Sequence, residues 1–249
     1  MNKLNQLLLI IGASLVMFIS QSCNLLNPGC EILDCNAGTL NEETCACDCP
    51  EGYLGTTCES FDKTKVQALL DKGVKPKALF DGGIILDSLY GKKYAGGLIF
   101  FLNTEPANNP NFTGEGMVAT ETRYGDFDQY GCGGQLVGAS GKEIGDGPTN
   151  TQKILDAMCT WEAKSAKICD ALVIDTYDDW FLPSEEEMNL MYYNLFKKGH
   201  GTGWIDNIQR YQTSTEANEN EFRIRFFFRD TVANVNKISG DDIRPARIF

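Results

Sequence analysis

The chain has 249 residues, 43% of them hydrophobic, enough for one large domain and a small one, which excludes disorder as a description of the whole. With 22 basic against 34 acidic residues the formal charge is -12, so the surface repels phosphate backbones and anionic head groups and nucleic acid is not an expected partner. Ten cysteines, crowded between Cys30 and Cys58, point to an oxidising compartment, and the single histidine, His200, is the one residue available to histidine-based zinc sites or to Ser-His-Asp and Cys-His catalysis.

Asn2 and Lys3 precede an apolar run from Leu7 to Ile19 that ends in Ser20, Gln21, Ser22 and Cys23. The run is too short to span a bilayer comfortably and reads as a signal peptide over residues 1–22. The small residue before Cys23 resembles the cleavage site of bacterial lipoproteins, although Ser20 stands where that pattern prefers Leu. The resemblance implies a lipid on Cys23, a tether over residues 23–29, and a protein held at the bacterial outer membrane or cell surface through its anchor. Ordinary secretion with Cys23 as a spare thiol accounts for the same residues without a lipid.

Next come Cys30, Cys35, Cys45, Cys47, Cys49 and Cys58, with Pro50, Gly52, Tyr53 and Gly55 in the last interval. The one-residue gap between Cys47 and Cys49, followed by Cys-Pro-Glu-Gly-Tyr-Leu-Gly-Thr-Thr-Cys, resembles the closing signature of EGF-like domains, over residues 30–59. The family's pairing implies Cys30 with Cys45, Cys35 with Cys47, and Cys49 with Cys58. So short a segment cannot bury enough apolar surface to fold, and cross-links of about 2 to 4 kcal/mol each meet that need. Zinc is not expected, since no Cys-x2-Cys pair occurs, nor is calcium, since Asn27, Pro28 and Gly29 replace the acids of calcium-binding modules. Glu31, Asp34, Glu42, Glu43, Asp48, Glu51 and Glu59 make seven acids and no base, as suits a spacer standing in solvent.

Residues 60–94 read as a helical connector. Val66, Leu69 and Leu70 fall at helical spacing, Gly73 would stop that turn, and Pro76 suits the start of a second helix carrying Leu79 and Phe80. Neither helix is long enough to be stable alone, so both must pack on the larger C-terminal domain. Residues 95–249 then open on an apolar run, Gly97 to Leu102, suited to a strand buried on both faces. A turn-rich stretch from Thr104 to Asn150 is long enough to suggest a functional loop. Thr149 and Gln152 form a capping box ahead of a helix on which Ile154, Leu155, Met158 and Cys159 share a face, and Ser184 with Glu187 forms a second ahead of Met188, Met191, Tyr192 and Leu195.

The order of blocks is distinctive: Gly97 to Leu102; Asn150 and Thr151 with Ile154; Asp179-Trp180-Phe181-Leu182-Pro183-Ser184 with Glu187 and Asn189; Ser214-Thr215-Glu216; and Arg244-Pro245-Ala246-Arg247-Ile248-Phe249. It resembles the C-terminal domain of bacterial collagen-like adhesins, over roughly residues 90–249. That resemblance implies a C-type-lectin-like α+β fold with two main helices and an antiparallel sheet, and extracellular recognition, often of glycans, rather than catalysis. Gln212 replaces the family's aromatic before the Ser-Thr block, and the collagen repeat is absent, so trimerisation is not implied.

The strand Phe222 to Arg229 alternates, with Phe222, Ile224, Phe226 and Phe228 on one face and Arg223, Arg225, Phe227 and Arg229 on the other. In an acidic protein the second set is the sharpest candidate ligand surface, since guanidinium groups fork onto carboxylates or sulfates and an aromatic ring stacks on a sugar, with Arg244 or Arg247 nearby. A sheet face whose arginines pair with neighbouring acids accounts for the same residues without any ligand and is the simpler reading. The Asp178-Asp179-Trp180 block reads as a tight turn, a buried indole and a helix cap, without catalytic residues or a metal. Glu105-Pro106-Ala107-Asn108 resembles a calcium and sugar motif but lies too early in the chain. Among Cys132, Cys159 and Cys169 one bridge and one leftover thiol are expected. The reading is therefore a lipid-anchored surface protein for adhesion to an extracellular glycan or protein ligand, with no cofactor. The rivals are an extracellular enzyme, either a glycosidase using Asp179 and Glu216 or one resembling formylglycine-generating enzymes, and a purely structural surface protein.

Overall fold

The computed structural model describes residues 33–159, 162–202, 204 and 210–249. The signal peptide, Cys23 and Cys30 lie outside the described residues. The first elements are two small antiparallel ribbons, β1 (Thr39–Asn41) with β2 (Ala46–Asp48) and β3 (Tyr53–Leu54) with β4 (Ser60–Phe61). Disulfides link Cys35 to Cys47 and Cys49 to Cys58, and Cys45 is disulfide-bonded too. The second ribbon does not stand free in solvent, which corrects the spacer expectation. Gly52, at φ 97°, lies so close to the connector that a Cβ there would meet Leu69 Cδ2 at 2.6 Å. Tyr53 and Phe61, with ring centroids 5.3 Å apart, pack on the same cluster, and Glu51 meets Lys65 and Lys72.

The connector forms α1 (Val66–Asp71), α2 (Pro76–Asp81) and a further single turn, α3 (Leu86–Leu89), that the spacing did not announce. Gly73 at φ 88° and Gly83 at φ 91° turn the chain out of the first two, as glycine does past a helix end. Val66, Leu69, Leu70, Leu79 and Ile84 join Ile99, Leu102, Val118 and Trp180 in one cluster, so these short helices are stabilised by the surface they dock on.

The remaining elements are β5 (Lys93–Tyr94), β6 (Gly97–Leu102), β7 (Gly116–Ala119), β8 (Tyr124–Gln129), α4 (Asp146–Asp156), α5 (Lys164–Asp170), α6 (Glu185–Met191) with a π-helical turn (Tyr192–Phe196) directly after it, β9 (Arg210–Glu216), β10 (Glu221–Phe226), β11 (Thr231–Asn236), β12 (Gly240–Ile243) and β13 (Ala246–Ile248), besides a short 3-10 turn between β6 and β7. They build a four-stranded sheet, β13-β7-β6-β5, and a five-stranded one, β11-β10-β9-β12-β8, antiparallel apart from the β12–β9 contact. The architecture is thus mixed α and β, with short helices against several sheets. All six residues of β6 are buried, as its unbroken apolar run requires. A core of Leu98, Phe100, Met117, Met188, Met191, Tyr211 and Phe227 fills the space between α6 and the sheets.

Three local expectations are corrected. The stretch from Thr104 to Asn150 is not one loop: it holds a 3-10 turn (Pro106–Asn108), β7, β8 and the start of α4. Helix α4 starts at Asp146, ahead of the Thr149 box, because its first donors find an acceptor elsewhere: Glu187 Oε1 accepts from the N–H groups of Gly145 at 2.8 Å and Gly147 at 3.4 Å. The same carboxylate accepts from the Ser184 N–H at 2.7 Å and completes the capping box of α6, so one side chain caps two helices. Finally, α4 ends at Asp156, so Met158 is exposed and Cys159 turns away to bond Cys132, which leaves Cys169 as the buried free thiol among the described residues.

Candidate functional site

The arginine and aromatic stripe is not a continuous exposed face. Strand β10 ends at Phe226, and the turn 227–230 resets the two-residue alternation. Phe227 is therefore 1% exposed, packed among Tyr192, Phe196, Trp204 and Tyr211, while Phe228 is 71% exposed. Arg225 is buried as well, its guanidinium 4.1 Å over the Tyr192 ring and paired with Asp230, because the turn after α6 covers that part of the sheet. Arg223 forks onto Glu185 at 2.6 and 3.0 Å and also donates to Asn234. Of the four predicted residues only Arg229 is exposed. Arg244 lies in the interior, 3.5 Å over the Trp204 ring and donating to the carbonyls of Thr120 and Thr202.

Arg247 instead builds a ridge around the segment 174–181. Ile174 and Tyr177 close its turn by reciprocal 3.0 Å backbone hydrogen bonds, with Asp175 at φ 55°. The Tyr177 ring lies 3.9 Å beneath the Arg247 guanidinium and close against Gly96, where a Cβ would approach the ring to 2.8 Å. Arg247 also donates to the Ala95 carbonyl and pairs with Asp179. Trp180, 3% exposed, donates to the Tyr177 carbonyl at 3.1 Å, and Phe181 exchanges two 2.9 Å backbone bonds with Ala246. The ridge is therefore fixed from beneath and from both ends.

A cleft lies on each side of it. The first, of about 470 Å³, runs between the end of α1, β5 and the turn, and presents Asp71, Asp175, Tyr94, Tyr177 and the Lys93–Glu121 ion pair at 2.7 Å. The second, of about 320 Å³, has an apolar floor of Pro148, Leu155, Trp180, Phe181 and Ile248 and a rim that includes Gln152, Asp170, Asp178 and Asp179. Nothing in the linear pattern couples Tyr177 to Arg247. Arg247 was legible as a motif residue and Tyr177 was not, since it lies just ahead of the Asp178-Asp179-Trp180 block and its contact spans the chain from the turn to its last strand.

The interior holds polar groups that a catalytic reading would need at the surface. Glu216 is 4% exposed; it accepts from the N–H groups of Val137 and Gly138 at 2.8 and 2.9 Å and pairs with the fully buried Lys237 at 2.5 Å, a satisfied buried cluster. Burial pushes the Cys169 thiol up, away from the thiolate a nucleophile needs. Burial also raises the Glu187 carboxyl to about 7 against the pull of its three backbone donors, and that of Asp241, 2.5 Å from Arg210, to about 6. The 3-10 turn at Glu105 sits on the surface as an ordinary connection. Among the described residues no group of three or more His, Cys, Asp and Glu side chains is placed to hold a metal ion, and no helix is long and apolar enough to cross a membrane. No family model and no curated protein matches the chain.

Proposed function

We propose that this chain is a lipid-anchored bacterial surface protein that recognises an extracellular glycan or protein ligand, with an EGF-like module over residues 30–59 and a C-type-lectin-like domain over residues 95–249. The observation that carries this reading is the rigid ridge flanked by two open clefts, a surface held in advance of any partner. The disulfides in both halves of the chain accord with an extracellular setting. Against the rival glycosidase stands the burial of Glu216 in its ion pair with Lys237.

The test has two arms. Full-length protein in detergent micelles is screened against a glycan array and a panel of immobilised extracellular proteins; saturable binding to one of them is expected, and silence on both overturns recognition. Detergent-phase partitioning of Cys23→Ala tests the anchor. The variant is expected to leave the detergent phase, and full retention overturns the lipid.

A further inference from the structure

We propose that the ridge and its two clefts take an extended peptide segment in which lysine or arginine side chains alternate with apolar ones, so that the partner is a basic protein. This inference rests on the recognition reading above and names the partner class and place. Its first support is concavity of two kinds side by side: one cleft is polar and the other has an apolar floor, separated by a fixed turn across which an extended chain can lie.

Its second support is charge. The two clefts hold six carboxylates, Asp71, Glu121 and Asp175 on one side and Asp170, Asp178 and Asp179 on the other. Among the described residues that line the clefts the one cation is Lys93, which is committed to Glu121, and Arg247 beside them is committed to Asp179. An anionic ligand would meet this excess as repulsion, whereas a cationic side chain would find uncompensated acids at the rim and bury its stem on the floor.

The aromatic groups favour a peptide over a sugar. Stacking on a pyranose needs an open ring face, but Arg247 occupies one face of Tyr177, Trp180 and Phe181 are buried edge and floor, and Tyr94 packs on Phe249. What remains is a branched, mostly aliphatic hollow at Leu155, Pro148 and Ile248, the shape an apolar side chain fills.

The experiment uses the full-length protein in detergent micelles and a fluorescent peptide of six Lys-Leu repeats, followed by anisotropy. The expected result is saturable binding that weakens as salt rises, because charges at the rim are screened. A peptide with Glu for Lys should not bind, and one with Ser for Leu should bind about fivefold more weakly. Asp175→Asn combined with Asp178→Asn removes one exposed acid from each cleft, and Asn tolerates the left-handed backbone of residue 175. That variant should weaken binding about tenfold or more. Glu43→Gln with Glu219→Gln removes the same charge from exposed sites outside the clefts and should change it less than about twofold. Equal losses in the two double variants, or no binding of the lysine peptide, overturn the inference. A glycan or protein found in the screens whose binding ignores Asp175→Asn/Asp178→Asn also overturns it while recognition stands; silence of the peptide and of both screens overturns both.

Discussion

Residues 35–62 and residues 95–249 solve the folding problem by different means. In the small segment the buried apolar residues are the disulfide cysteines Cys35 and Cys58, and the ribbons around them are two or three residues long. Its order comes from cross-links that restrict the unfolded chain. The large segment buries Phe100, Met188, Tyr192 and Phe222 almost completely and adds polar side chains that are buried because they are satisfied: Glu187 between two helices, Glu216 with Lys237. Its order therefore depends on native contacts that single substitutions can break. The connector joins the two, since Leu69 of α1 touches both Gly52 and the large core.

The sharpest break of that contrast is Glu216→Ala. It leaves the Lys237 ammonium buried without its carboxylate and frees the Val137–Gly138 backbone, so the large segment should lose about 3 to 5 kcal/mol in urea denaturation followed by tryptophan fluorescence. Replacing both partners, Glu216→Leu with Lys237→Met, should recover much of that loss; a single variant as stable as the wild type refutes the role given to the pair. Removing the Cys35–Cys47 bond by a double change to Ala should cost the small segment about 2 to 4 kcal/mol, read as lost hydrogen-exchange protection around β1 and β2, with the large segment's midpoint unmoved. Gly52→Ala acts on the junction. It forces a Cβ into Leu69 at a left-handed position and should cost about 1 to 3 kcal/mol, visible as faster exchange in α1 and β3 together. Faster exchange in β3 alone would mean that the junction is looser than its contacts indicate.

Features were legible in the sequence where the cause is local. The buried strand β6 follows from six consecutive apolar residues, the start of α6 from Ser184 and Glu187 three residues apart, and the connector helices from Leu spacing ended by glycine. Features with a distant cause were not. The start of α4 is set by Glu187, some forty residues further on, so the nearby Thr149 box misplaced it. Alternation placed Phe222 and Ile224 inward as they are, but it failed at Phe227, where a turn intervenes, and at Arg225, which a separate element covers. The ridge was half legible: the Asp179-Trp180 turn and Arg247 were each visible as motif residues, while the stacking of Arg247 on Tyr177 depends on the pairing of β13 beside the turn.

The response to pH also separates the two regions, because their acids respond in opposite directions. Burial raises Glu187 to about 7 and Asp241 to about 6, against unfolded values of about 4.3 and 3.9. Between those limits the native large segment holds protons that the unfolded chain releases, so the stabilisation is full below about pH 4 and is lost as pH rises through 6 and 7. In and beside the small segment the shifts run the other way: hydrogen bonds from Lys65 to Glu51, from the backbone and Thr57 to Glu59, and from Thr64 to Asp62 lower these exposed carboxyls. Their contribution is present above about pH 4 and is lost as pH falls through their lowered values. From pH 7 to pH 5 the urea midpoint of the large segment should rise, while exchange protection of β3 and β4, corrected for the intrinsic rate, stays level. Glu187→Gln keeps an acceptor for the backbone donors but cannot titrate, so it should flatten most of that rise. A midpoint that falls between pH 7 and pH 5 would show that Glu187 is ionised in the folded protein well below neutrality, with its three backbone donors outweighing burial.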